Sequence, residues 1–134
     1  MSLIENTDLF IFDKRLDSKH LYSLYGNDYI WIQEIFRIAH ENFAADLSAV
    51  REAWNKQDMD GLKRSVHKIK PTFGFIGLPD LQQTCKDLEM AIAAEAPLSA
   101  VHNQLQVLLT QCDECAEILE GELSRLIAYN KSAT

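Results

Sequence analysis

Apolar residues recur at steps of three and four along most of this chain, the spacing of one face of an α-helix. No segment alternates with the period of two that a half-buried strand requires. The longest run, Ile32, Ile35, Phe36, Ala39, Phe43, Leu47, Val50 and Trp54, predicts a helix from about Asp28 to Lys56. Leu62, Val66, Ile69, Phe73 and Ile76 predict the next, capped by Asp58 and released at Gly77. Pro79 opens a shorter helix with Leu81, Cys85, Leu88 and Ile92. Pro97 opens a last one carrying Leu98, Val101, Leu105, Leu108, Cys112, Cys115, Leu119, Leu123 and Leu126. Ahead of them, Asp17 can cap a short helix with Leu21, Leu24 and Tyr25, stopped by Gly26. Four amphipathic helices with short connections fold most simply as an antiparallel four-helix bundle, here all-α with a short N-terminal lead-in helix. Residues 1–134 read as one domain, with an irregular leader over 1–16, a helical body over 17–129 and a polar, frayed tail over 130–134.

Composition changes that picture little, but charge does. Of 134 residues 47% are hydrophobic and 25% charged, ordinary for a domain able to bury one core. Formal net charge is −7, so wrapping nucleic acid or an anionic membrane is not expected. Yet from Gly61 to Leu78 there are four cations, Lys63, Arg64, Lys68 and Lys70, and no acid. Such a patch reads either as a docking site for an anionic partner or as a solvated helix face.

The N-terminus lacks the basic-then-apolar pattern of a signal peptide, and the run Leu9 to Phe12 is far too short to cross a membrane. Three cysteines make no even disulfide framework, so a reducing cytoplasm is the expected location. Cys112 and Cys115 form a C-x-x-C pair, but both lie on the apolar stripe and no second pair exists. Buried structural thiols are the expected reading, with no metal site. His40 reads as a partly buried packing residue, and His20 and His102 as surface residues. Neither Glu-x-x-His pairs nor a phosphate-cradling glycine loop occurs, which leaves no evident ATP site and no complete kinase.

The candidate chemistry sits at His67. On a helical wheel it lies roughly 145° from the centre of the apolar arc, so its imidazole should be exposed. Lys63, Lys70 and Gly74 share its side, while Arg64, Pro71 and Phe75 flank it. A neutral imidazole is a nucleophile near neutral pH, and a lysine one turn away stabilises a transferred phosphoryl group. The wheel alone equally admits an ordinary surface histidine. Pro71 has no N–H to donate to the carbonyl of His67, so the helix should bend or loosen there.

The run His67-Lys68-Ile69-Lys70-Pro71-Thr72-Phe73-Gly74-Phe75-Ile76-Gly77-Leu78 resembles the histidine-containing phosphotransfer (HPt) domain family of two-component phosphorelays. The following Leu81 to Glu89 is similar to that family's next helix, and Asp13 to Asp28, with Leu24-Tyr25-Gly26-Asn27-Asp28, to its lead-in helix. The main departure is Pro71, where the family more often has glycine. The resemblance implies a four-helix bundle with His67 as the phosphorylated side chain. It implies Lys70 as binder of phosphoryl oxygens, Gly74 as room for a receiver domain, and Glu89 as hydrogen-bond partner of the inward ring nitrogen.

On that resemblance the chain is expected to take a phosphoryl group from a receiver-domain phospho-aspartate onto His67 and pass it to another receiver. Partners would be response-regulator receivers, or a hybrid histidine kinase, meeting the face of Lys63, Arg64, Pro71, Gly74 and Phe75. This chain would bind no cofactor; Mg²⁺ is expected on the receiver. A monomer is expected. The alternatives are a helical adaptor module that only binds through this face, and a metal- or cofactor-binding bundle.

Overall fold

Three aspartates decide where the first three helices begin. Asp17 accepts a hydrogen bond from the His20 amide, Asp28 from that of Trp31 and Asp58 from that of Gly61, each filling an orphan donor of the first turn. The computed structural model describes residues 9–133, which form helices α1 (Ser18–Tyr25), α2 (Tyr29–Asn55), α3 (Met59–Phe75), α4 (Pro79–Ala93) and α5 (Leu98–Ala133). Pro79 sits at the start of α4, and Pro97 immediately precedes α5.

Helix ends were less legible. α2, α3 and α4 all close with an amide bonded five residues back: Asp58 to Ala53, Leu78 to Phe73 and Ala96 to Ala91. The residue before each such amide is left-handed, at φ 54° for Gln57, 88° for Gly77 and 55° for Glu95. Only the middle one is the glycine that pattern reading looks for. Gly77 is doubly constrained, since a Cβ there would also meet Leu21 at 3.0 Å.

Connections of three or four residues force sequential helices to lie antiparallel. α2 packs on α3, α3 on α4 and α4 on α5, and α5 closes the ring against α2. The predicted stripes form one core: Leu62, Val66, Ile69 and Phe73 of α3 and Ile76 just beyond it are buried in one cluster with Phe36, Leu88, Leu105, Leu108 and Leu119. Cys85, Cys112 and Cys115 are buried and unpaired, and burial pushes each thiol up to about 12. Leu24 and Leu98, assigned to stripes, are instead half exposed, and His40 is exposed rather than packed.

The expected frayed tail is a correction. α5 runs to Ala133, and buried Asn130 donates from Nδ2 to the Tyr29 carbonyl at 3.0 Å and to Gln33 Oε1 at 2.6 Å. Bonds to a neighbouring helix, which no local pattern reveals, hold that end. Of the expected leader, residues 1–8 lie outside the described residues; residues 9–16 have no regular structure but put Phe10 and Leu16 into the core. Among the described residues no helix is long and apolar enough to cross a membrane.

Candidate functional site

α3 turns its apolar stripe inward and so turns His67 outward, leaving 69% of that side chain open to solvent. Pro71 does not break the helix: α3 is continuous from Met59 to Phe75, so the loosening expected at His67 is not seen as a break. Pro71 still supplies no amide to the His67 carbonyl, and it lies exposed on the same face.

The neighbouring helix α4 brings up Glu89, which is only 9% exposed. Its Oε1 lies 2.7 Å from His67 Nδ1, and its Oε2 accepts a 2.7 Å bond from Lys70 Nζ. Burial alone would raise the Glu89 carboxyl. Hydrogen bonds from Lys70 and His67, together with their charge, outweigh it and hold the group below its ordinary value. Glu89 is therefore a carboxylate near neutral pH and can only accept. In the neutral ring Nδ1 must then carry the hydrogen, which puts the lone pair on Nε2.

Lys70 departs from expectation. Its side chain is three-quarters buried, and its ammonium is engaged by Glu89 rather than standing free beside the imidazole. Lys63 and Arg64 are exposed as read from the wheel, and Phe75 is half exposed on the same surface. Lys68, on the opposite flank, pairs with Asp46 at 3.4 Å. A hollow of about 350 Å³ is lined by Asp60, Lys63, Arg64, His67 and Glu89.

Gly74 also differs from its expected place. It is buried, and a Cβ there would come within 2.6–2.8 Å of the Gln82 amide group. The space left by its missing side chain is already taken by Gln82.

Sequence reading missed four neighbours of the site. Gln82 is one; its place seven residues before Glu89 on the same helix face was a usable signal. Asp60, in the first turn of α3, is on the hollow. His20, read as a surface residue, is half-buried with Nε2 2.9 Å from the Gly74 carbonyl, and the Tyr25 hydroxyl donates to the Phe75 carbonyl at 2.7 Å. α1 thus adds side-chain donors to carbonyls at the end of α3, where intrahelical amides run out; the Gly74 carbonyl also takes the Gly77 amide at 3.4 Å. Nothing in the sequence signals those two bonds.

His102 is exposed against Trp54, with ring centroids 5.5 Å apart, and has no link to this site.

Searches of curated proteins and of solved structures found no significant match. A model of the Hpt domain matches residues 34–129, from the second turn of α2 through Tyr129 of α5, and includes His67, Lys70 and Glu89. Matched over well more than half of its length, the chain belongs to the Hpt domain family, which implies a phosphotransfer role in two-component phosphorelays and interaction with receiver domains or histidine kinases.

Proposed function

We propose that His67 accepts a phosphoryl group from the phospho-aspartate of one receiver domain and passes it to the aspartate of another. The observation that carries this reading is an exposed imidazole whose Nδ1 is held at 2.7 Å by a buried carboxylate. The Nε2 lone pair attacks phosphorus; an N–P bond forms as the acyl P–O bond breaks, and the aspartate carboxylate leaves with the bonding pair. No proton need move. The ring hydrogen stays on Nδ1, and the positive charge gained by the ring faces Glu89. Transfer onward is the same step in reverse. The receiver supplies its own acidic pocket and the expected Mg²⁺; Lys63, Arg64, Pro71 and Phe75 form the surrounding docking face, with Gly74 beneath it. Basic residues beside apolar ones favour quick, transient association with an acidic partner.

Incubation with a phosphorylated receiver is expected to place acid-labile, base-stable phosphate on the protein and none on His67→Gln. Label persisting in that variant would move the nucleophile elsewhere. No label from any cognate receiver would leave the adaptor reading, in which the same face only binds.

A further inference from the structure

The four cations between Gly61 and Leu78 divide into two kinds. Lys68 is paired with Asp46 and Lys70 with Glu89. Lys63 and Arg64 are exposed, and among the described residues neither makes an ion pair or a side-chain hydrogen bond. Two adjacent cations with no acceptor are a poor arrangement in themselves, and Asp60, one turn before Arg64, does not reach it.

Helical side chains lean toward the N-terminus of their helix, so the imidazole of His67 overlies the turn that bears these two cations. That is where the surface is hollowed, with Lys63, Arg64 and His67 as walls and Asp60 and Glu89 also on its lining. Both Glu89 oxygens are already occupied, by His67 and Lys70.

We propose that this hollow is the phosphoryl-oxygen site of phosphorylated His67, with Lys63 and Arg64, rather than Lys70, as the cations that meet those oxygens. The proposal rests on the phosphotransfer reading above. A phosphoryl group near neutral pH carries almost two negative charges and three acceptor oxygens. The planar fork of Arg64 suits two of them and the mobile ammonium of Lys63 suits the third. Lys70 is then a positioning residue: it neutralises Glu89, and Glu89 aims the ring. The groups around the phosphoryl are Asp60, Lys63, Arg64 and Lys70 on α3 and Glu89 on α4.

The test labels the folded protein with phosphoramidate, a small donor that needs no docking face, and follows the ³¹P shift of phosphorylated His67 against pH. The His67 resonance is the one absent from His67→Gln. In a Lys63→Ala/Arg64→Ala double variant the phosphoryl group should titrate about half to one unit higher, a roughly 3- to 10-fold gain in proton affinity. Lys70→Ala should move it less. An unmoved titration in the double variant, or a larger shift from Lys70→Ala, overturns this site whatever receivers do. A shifted titration with no labelling by any receiver keeps the site and removes the relay reading. No label on His67 from either donor overturns both.

Discussion

Glu89 on α4 and Glu122 on α5 are both buried carboxylates, 9% and 2% exposed, and both are held by basic side chains. Their surroundings diverge. Glu122 bonds Arg125 one turn along its own helix and takes the Asp13 amide at 3.0 Å on its other oxygen. Arg125 in turn donates to the Ile11 carbonyl at 2.6 Å and lies 4.6 Å over the Phe10 ring, which meets Phe12, Tyr29 and Tyr129. Every group Glu122 touches is structural, and its effect is to tie the leader to the bundle. Glu89 instead meets two side chains of a neighbouring helix, one of which continues into solvent as an imidazole. A buried carboxylate is costly unless fully partnered. The same device anchors backbone at one place and aims a reactive ring at the other, and the difference lies wholly in what stands on its far side.

That contrast can be broken. Glu89→Ala should slow single-turnover transfer from a phosphorylated receiver by about 10- to 100-fold, by analogy with the loss when the partner that orients a metal-ligating histidine is removed. Glu89→Gln, which keeps an acceptor oxygen, should lose less. Should Glu122→Ala slow transfer equally in folded protein, the division of labour is wrong. Glu122→Ala is expected instead to lower the unfolding free energy by about 2–3 kcal/mol, because the Asp13 amide and Arg125 lose their acceptor; urea denaturation measures it. Asn130→Ala, which removes two bonds to α2, should cost about 1 kcal/mol by the same measurement.

A pH titration sharpens the comparison further. The folded Glu89 carboxyl lies below its ordinary value of 4.5. Its contribution to stability is therefore complete above that value and is lost as pH falls through the lower folded one. Below about pH 4.5, stability of the parent protein should fall more steeply than that of Glu89→Gln; parallel curves would mean that Glu89 is not stabilised as an anion. The smallest effect is expected for Gly74→Ala. The atoms nearest the added methyl belong to the end of the flexible Gln82 side chain, so stability should change by about 0.5 kcal/mol or less. A larger loss would show that Gln82 cannot move aside.

The bundle was readable because each helix writes its own stripe, and the first three their own caps. Asp17, Asp28 and Asp58 act within three residues of themselves, and the exposure of His67 follows from angles on a single helix. Reading failed where a contact crosses between elements. Lys70 looked like a free surface lysine because Glu89 is 19 residues away on another helix. Gly74 looked open because Gln82 is absent from its wheel, and Asn130 looked frayed because its partners are about 100 residues back. Gln57 and Glu95 adopt left-handed turns without glycine, a conformation that few non-glycine residues take.

The sequence by itself determined the helices, their order, the antiparallel ring and the outward imidazole, since periodicity, caps and short connections are local and the hydrophobic effect acts on each stripe alike. Only the tertiary structure decided the state of that imidazole. Which ring nitrogen bears the hydrogen, which lysine is occupied and which cations remain free depend on a hydrogen-bonded triad across two helices. Such bonds depend on geometry at the scale of tenths of an ångström, which residue spacing along a chain does not encode.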